Sequence, residues 1–354
     1  MARSVLTKIL APAMLAALNA TAAEQPASTP VATTPNLIIP NLEIAPSAEI
    51  KPEDFVYVAS TRPDRIGRVM APVFVNGVGP FAFVVDTGAS SSVISPRVVA
   101  RLKLVPDPAR AKLLRGITGS EVVSTVAVES ITAGEIKLPK SELPVVEPRV
   151  FADADGIFGA DAFARGCLYV NFATAHVSIL RTACPRVGEN WEVMRARLRF
   201  GGLAVVNARV GNTRVVAIVD TGAERSLGNP ALLAASGLQA QADDPQSRKQ
   251  VFAATSQAVF GNLVDAPSIR LGGVEIGNLQ VVFGDFEVFR MWGVGDQPAI
   301  VLGMDVLGTT QALMIDYRRE EIRFLPQGEE NTLRVRKRIV PTRIPERRGI
   351  TSRV

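Results

Sequence analysis

Between about residues 66 and 326, short apolar runs alternate with residues that favour turns. The runs are rich in Val, Ile and Phe, and they are separated by Pro, Asn-Gly and Gly-Gly, as at residues 76–77 and 272–273. Short β-branched and aromatic runs bounded by such residues are typical of β-strands. The pattern therefore predicts an all-β protein. We expect short helices in only four places, after Pro96 and Pro230 and near Ala160 and Met304.

One tetrapeptide, Asp-Thr-Gly-Ala, occurs at residues 86–89 and again at residues 220–223, each time directly after an apolar run. A single copy would be an ordinary turn after a strand, since Asp and Gly are favoured in turns. Two copies allow another interpretation, in which two buried strands bring Asp86 and Asp220 to one cleft. Two adjoining carboxylates share one proton, so the pair would contain both a base and an acid.

The surroundings of the tetrapeptide also repeat. Ile-Phe-Gly-Ala-Asp at 157–161 matches Val-Leu-Gly-Met-Asp at 301–305, and two matching strand-like segments follow each of these sequences. The separation of the two copies is 134 residues at the Asp, 144 at the glycine and 145 beyond it. The separation therefore increases only slightly, and it does so between the motifs. This indicates a duplicated domain with loop insertions in the second copy.

These motifs resemble the aspartic proteases of the pepsin and retropepsin superfamily over about residues 66–326. The resemblance implies two homologous acid-protease-type β-barrel lobes, at 66–184 and 190–326, with the active-site cleft between them. The Ala after each glycine is similar to retroviral and bacterial retropepsin-like enzymes. By position, Asp86 and Asp220 become the catalytic pair. The residues that would support the active site are Thr87, Gly88, Ala89, Ser90, Thr221, Gly222 and Ala223.

The resemblance implies an aspartic endopeptidase that hydrolyses peptide bonds in a polypeptide substrate with activated water. One carboxylate would take a proton from the water, while the other would protonate the substrate carbonyl oxygen. The reaction needs no cofactor and no metal. The alternative from another class is a catalytically silent envelope protein that binds peptides on the same fold. We expect a monomer, with pairing of two molecules as the alternative.

The family also covers its cleft with a flexible hairpin, the flap. Residues 116–120 and 252–256 lie at a similar distance after the two Asp motifs, although an ordinary hairpin turn explains Gly116 and Gly119 equally well. The residues that would form flaps are Gly116, Ile117, Thr118, Gly119, Ala254 and Thr255. The halves differ at one further position, where Ser90 would hydrogen-bond to Asp86 and Glu224 would make the halves electrically unequal or lie in a solvated turn.

Composition excludes several other chemistries. A Ser-His-Asp triad would depend on the single His, and one His with two Cys cannot supply a zinc hydrolase. Neither a Gly-x-Gly-x-x-Gly after a strand nor a phosphate-binding Gly-Lys-Ser/Thr loop is present. The formal net charge of +5 equals that of a basic C-terminal tail, 327–354, so the rest of the chain is balanced. Without aromatic residues suited to stacking near that tail, nucleic acid is not expected as a partner.

The first 23 residues have the pattern of a signal peptide, with Arg3 and Lys8 before an apolar stretch and small residues around 20–23. The ten apolar residues are fewer than the roughly 20 that span a bilayer, so no stable membrane insertion is expected after cleavage. Residues 24–65 are predicted to form a Pro/Ala/Thr-rich tether or propeptide-like segment. A bacterial periplasm or the cell exterior fits best. There Cys167 and Cys184 would form a disulfide or remain buried thiols.

Overall fold

The computed structural model describes residues 67–134, 136–146, 151–239 and 245–327, and the backbone of one strand at Phe55–Ser60. The predicted signal peptide, most of the predicted tether and the basic tail lie outside these residues. The all-β prediction is confirmed, because strands dominate and the described helices are short. These helices are α1 (Pro96–Arg101), α2 (Ala160–Phe163), α3 (Pro230–Ala235), α4 (Glu287–Met291) and α5 (Met304–Leu307). All except α4 begin where the sequence predicts a helix. None of the described helices is long and apolar enough to cross a membrane.

The first half of the chain forms two sheets, in the orders β4-β10-β3-β2-β7-β8 and β5-β6-β9, and also supplies strands to a third. Its strands are β1 (Phe55–Ser60), β2 (Met70–Val75), β3 (Val78–Val85), β4 (Val93–Ile94), β5 (Asp107–Gly116), β6 (Gly119–Val128), β7 (Ile131–Ala133), β8 (Ile136–Leu138), β9 (Ser141–Pro144), β10 (Gly156–Phe158), β11 (Cys167–Asn171) and β12 (His176–Leu180).

The second half forms one large sheet in the order β18-β19-β22-β17-β23-β16-β15-β20-β21, with β14 paired to β15. Its strands are β13 (Glu192–Arg195), β14 (Arg197–Arg199), β15 (Leu203–Val210), β16 (Thr213–Val219), β17 (Leu227–Gly228), β18 (Arg248–Phe252), β19 (Ala258–Ala266), β20 (Ile269–Leu271), β21 (Val274–Ile276), β22 (Leu279–Phe283), β23 (Ala299–Leu302), β24 (Thr310–Asp316) and β25 (Glu321–Pro326).

The same local arrangement surrounds both Asp-Thr-Gly-Ala copies. In the first half β3 runs parallel to β10 and in the second β16 runs parallel to β23, with a two-residue strand antiparallel on the other side of each partner. Gly159 and Gly303 directly follow these partner strands. A Cβ on either glycine would come within 2.6 Å of the backbone carbon of Ser91 or Arg225. The repeated glycine therefore allows the backbones to approach closely beside each Asp turn.

A third sheet joins the halves, in the order β1-β12-β11-β24-β25-β13. Strands β11 and β24 are antiparallel, with Leu168 opposite Ile315. The sequence predicts these hairpins as the ends of separate lobes, whereas the structure pairs them across the repeat. Strand β1 also belongs to this sheet, although it lies within residues 24–65. Fully buried side chains such as Leu168, Ile315 and Phe324 form part of the main core.

Cys167 and Cys184 form a disulfide at the end of the first half. It closes a loop with a sequence separation of 17 residues, and both cysteines are buried against Trp191. Closing a loop of this length restricts the unfolded chain and stabilises a protein by about 3 kcal/mol.

We expect the double variant Cys167→Ala/Cys184→Ala to lose about 2–4 kcal/mol of unfolding free energy in urea titrations. The wild type measured with a reductant is the control, because it should approach the variant, whereas the variant should not respond to the reductant. Equal unfolding midpoints for the oxidised wild type and the variant would contradict this expectation.

Candidate active site

Asp86 and Asp220 stand at the carboxyl ends of β3 and β16, and their carboxyl groups lie close enough for each to affect the pKa of the other. The Gly88 backbone N–H donates to Asp86 Oδ1 at 2.8 Å. Asp220 Oδ1 accepts hydrogen bonds from the Gly222 and Ala223 backbone N–H groups, at 2.9 and 3.0 Å. The structure thus brings together the two carboxylates that the sequence singles out, although they lie 134 positions apart.

Thr87 and Thr221 connect the two Asp turns through a reciprocal set of hydrogen bonds. The hydroxyl of Thr87 donates to the Val219 carbonyl at 2.8 Å, and that of Thr221 donates to the Val85 carbonyl at 2.7 Å. Each hydroxyl also accepts the backbone N–H of the other threonine at 3.1 Å. Both threonines are fully buried, so these four bonds are shielded from water and fix the separation of the turns.

Gly88 and Gly222 have no room for a side chain. A Cβ on Gly88 would overlap the carboxyl group of Asp220, and a Cβ on Gly222 would overlap that of Asp86. The repeated glycine is therefore required by the close approach of the opposite carboxylate, rather than by the turn alone.

Burial raises the pKa of both carboxyl groups, because it disfavours their charged forms. The pKa of Asp220, which is 6% exposed, rises well above its usual range, and the negative charge of Asp86 adds to the effect of burial. The pair therefore retains one proton at a pH where ordinary carboxyl groups are ionised. One carboxylate and one carboxylic acid side by side can accept and donate a proton in the same reaction.

The raised pKa of Asp220 predicts a stability effect. A carboxyl group that binds its proton more tightly in the folded protein makes the folded state less stable as the pH rises above the unfolded pKa of about 3.9. We therefore expect Asp220→Asn to unfold at a higher urea concentration than the wild type at pH 7, with the difference closing below about pH 4. The exposed Asp296 provides a control, because Asp296→Asn should show no such pH-dependent gain. A constant difference across this pH range would contradict the assignment.

A second pair of aspartates stabilises the loops that follow the Asp turns. Asp161 accepts hydrogen bonds from the N–H and hydroxyl of Ser92, and Asp305 accepts the same bonds from Ser226. Ser90, by contrast, makes no hydrogen bond to Asp86 in the described structure. The prediction for Ser90 is wrong, because its side chain is exposed and lies beside Gly201 of the second half. Glu224 is likewise exposed, at the edge of the cleft.

Two hairpins cover the cleft. Residues 117–118 connect β5 to β6 in the first, which contains Gly116 and Gly119, and residues 253–257 connect β18 to β19 in the second. The tips meet, with the Thr118 and Thr255 hydroxyls 2.7 Å apart. Each tip packs across the repeat, since Ile117 contacts the apolar cluster of the second half and Ala254 contacts that of the first half. Both predicted flap segments therefore lie over the dyad.

The space below the hairpins is about 840 Å³, and its lining includes Asp86 and Asp220. Its second-half wall carries Phe200 and Trp292, stacked with ring centroids 5.2 Å apart. Phe200 has a φ of 54°, a conformation that a bulky residue rarely adopts. Sequence reasoning missed these aromatics and also Arg68, which lines the same cleft. Only the Gly201-Gly202 pair after Phe200 marked an unusual turn there.

In the described residues, no group of three or more His, Cys, Asp and Glu side chains is arranged to hold a metal ion. The polar groups in contact with the two carboxyl groups include the backbone N–H groups of Gly88, Gly222 and Ala223.

Comparison with known sequences gives two matches along the chain. A family model described as aspartyl protease matches residues 71–162 and again residues 206–306, together more than half of the chain. Each match contains one Asp-Thr-Gly-Ala copy and the glycine strand that follows it. No curated protein matches the chain.

Proposed function

Because the chain belongs to the aspartyl protease family, we propose that it is an endopeptidase that hydrolyses peptide bonds with water activated between Asp86 and Asp220. The observation that carries this proposal is the close approach of two carboxyl groups, the half-buried Asp86 and the buried Asp220, in one cleft. The hydrogen bonds of Thr87 and Thr221 hold the two Asp turns in place.

The chemistry follows from the shared proton. The ionised carboxylate removes a proton from a water molecule between the two groups, and the water oxygen attacks the carbonyl carbon of the substrate. The protonated carboxyl group donates to the carbonyl oxygen, so charge does not accumulate on the tetrahedral intermediate. When the intermediate breaks down, the carboxyl group that took the proton of the water donates it to the leaving nitrogen as the C–N bond breaks. The other carboxylate takes a proton from a hydroxyl group of the intermediate, which releases the new carboxyl group and restores the shared proton.

The shape of the cleft supports a polypeptide substrate in an extended conformation. Apolar residues from both halves, including Ile157, Leu203 and Val288, line its walls, and the two hairpins cover it. Hairpins that cover such a site exclude water and must open to admit a chain. An apolar cleft with a few convergent polar groups is typical of a binding site.

The alternative is a protein that binds peptides in this cleft without cleaving them. The same walls would serve that role, so fold and cleft do not separate the two functions. The dyad favours the endopeptidase, because a peptide-binding role gives no reason to keep two adjoining carboxyl groups in a poorly solvated place, where their charged forms cost stability.

The test is incubation of the full chain with unfolded protein from mildly acidic to neutral pH, with and without a statine inhibitor, which mimics the tetrahedral intermediate. We expect cleavage that the inhibitor abolishes, with the cut sites mapped by mass spectrometry. Binding of the unfolded protein without cleavage at any pH would favour the silent binding protein. Cleavage that a statine leaves unchanged would exclude the dyad as its source.

We also propose a periplasmic or secreted location, with residues 1–23 removed as a signal peptide. The Cys167–Cys184 disulfide supports an oxidising compartment. The lobe boundaries at 66–184 and 190–326 remain proposals.

A further inference from the structure

Arg68 is a buried cation in the wall of the cleft. The residue lies two positions before β2, is only 4% exposed and lines the same space as Asp86. Its Nη2 donates a hydrogen bond to the Phe151 carbonyl at 2.9 Å, which helps to fix the guanidinium. Because Arg68 is buried, solvent screens its charge poorly, so the charge can act on the carboxyl groups that share the cleft.

The repeat places a leucine where the first half has this arginine. Met70 lies opposite Val84, two residues before Asp86, while Val205 lies opposite Ile218, two residues before Asp220. Counting back two residues from Met70 and Val205 gives Arg68 and Leu203. Both line the cleft, so the dyad has a buried positive charge at one of two equivalent positions and an apolar side chain at the other.

We propose that Arg68 is the positioning residue that makes the two aspartates unequal: it keeps Asp86 ionised, as the base that activates water, and leaves the shared proton on Asp220, as the acid. This inference rests on the proposed function and adds to it which aspartate is the base and which is the acid. Both members of the dyad are aspartates, but a positive charge nearer to one of them is sufficient to make the pKa values of the two coupled carboxyl groups different.

The electrostatics of the site agree with this assignment. Burial raises the pKa of Asp86. The interaction with Asp220 and the Gly88 backbone N–H oppose that rise, and the positive charge of Arg68 opposes it further. Asp220 has no such cation among the groups that shift its pKa, and the charge of Asp86 raises its pKa further. The charge of Asp86 also acts on Tyr317. Burial is the larger cause that raises the pKa of the Tyr317 hydroxyl, and the negative charge of Asp86 raises it further.

Other charges line the wider cleft but are in contact with solvent. They come from the first hairpin, from the second hairpin and from the loop after the second Asp turn, and they are Arg115, Lys249, Glu224 and Arg225. All four are exposed or partly exposed, whereas Arg68 is buried. Since solvent and salt screen exposed charges far more than buried ones, Arg68 should dominate the field at Asp86.

The test is the pH profile of kcat/KM for the wild type, Arg68→Gln and Arg68→Lys. Glutamine retains a donor for the Phe151 carbonyl but removes the charge, whereas lysine retains the charge. The acidic limb of this profile reports the pKa of the carboxyl group that must be ionised in the free enzyme. We expect Arg68→Gln to move that limb to higher pH by up to about one unit, a rate loss of up to about tenfold on the limb. Arg68→Lys should remain close to the wild type.

Arg115→Gln is the matched control, because it removes an exposed arginine from the same cleft and should move the limb far less. An Arg68→Gln enzyme that loses activity equally at every pH, with an unshifted limb, would show that Arg68 only supports the loop at Phe151. That result would overturn the inference.

A second measurement does not depend on turnover. Carboxyl carbon NMR of the protein labelled at its aspartates follows the titration of the dyad directly. We expect the lower of the two dyad pKa values to rise in Arg68→Gln and to return towards the wild-type value in Arg68→Lys. A titration that does not change in Arg68→Gln overturns the inference. Absence of cleavage by the wild type would count against the proposed function, and the NMR titration would still decide the role of Arg68.

Discussion

Replacing either Asp86 or Asp220 with asparagine is expected to lower kcat by about 10²- to 10⁴-fold, the usual contribution of a positioned acid or base. Each variant removes a different half of one proton-sharing unit. Without the ionised carboxylate, water is not activated, and without the protonated partner, the carbonyl oxygen receives no proton. Asparagine is nearly isosteric with aspartate and can still accept the backbone hydrogen bonds that Asp86 and Asp220 receive, so the loss should lie in chemistry rather than folding.

The double variant Asp86→Asn/Asp220→Asn is expected to be little worse than either single variant, because groups that act as a unit are strongly non-additive. Asp296→Asn is the control for removing one carboxylate elsewhere on the surface, and its kcat should stay within about twofold of the wild type, a change of less than 0.5 kcal/mol in barrier. Statine binding should weaken in the dyad variants, which can be measured by calorimetry. Full turnover in either single variant would exclude the shared dyad.

The parts of the site that the sequence predicts are those that repeat. Each Asp-Thr-Gly-Ala copy, with the apolar run before it, predicts a buried strand followed by a turn that has no side chain at the glycine. Duplication then implies that Asp86 and Asp220 meet. The strands before Gly159 and Gly303 could also be predicted because they repeat. Each glycine allows the same close approach of two backbones in its half.

What could not be predicted lies in contacts between residues that differ between the halves. Arg68 and Leu203 occupy equivalent positions in the two strand pairs, but nothing in their local sequence places either one beside a carboxylate. The stacking of Phe200 on Trp292 joins residues on separate elements, and α4 has no helical counterpart among the described residues of the first half. The predicted hydrogen bond from Ser90 to Asp86 failed for a related reason, since a position close to Asp86 in sequence did not bring the Ser90 side chain to the carboxylate.

The shared sheet shows a similar limit. The β11–β12 and β24–β25 hairpins have short apolar runs that predict strands, but the same runs are compatible with two separate lobes. Pairing of β11 with β24 is a long-range contact that periodicity does not specify. The strands were therefore predictable, whereas the way in which they join the two halves was not.

The second large effect is expected at the hydrogen bonds beneath the dyad, where Thr87→Val should lower the unfolding free energy by about 2–5 kcal/mol. The Thr87 hydroxyl donates to the Val219 carbonyl and accepts the Thr221 N–H, and valine has nearly the same shape but can do neither. Two buried backbone groups then lack partners, and each unsatisfied group costs about 1–3 kcal/mol. Urea titration at a fixed pH measures the loss.

Thr87→Ser is the matched control, since it keeps the hydroxyl and removes one methyl group at a cost of about 1 kcal/mol. The difference between the two variants isolates the hydrogen bonds from the packing. Because the same bonds set the separation of the two Asp turns, Thr87→Val should also lose kcat under conditions where it is fully folded, while Thr87→Ser retains most of it. If valine and serine give the same stability and the same kcat, the hydroxyl is not what holds the two carboxylates together, and the cores of the two halves must position the dyad without it.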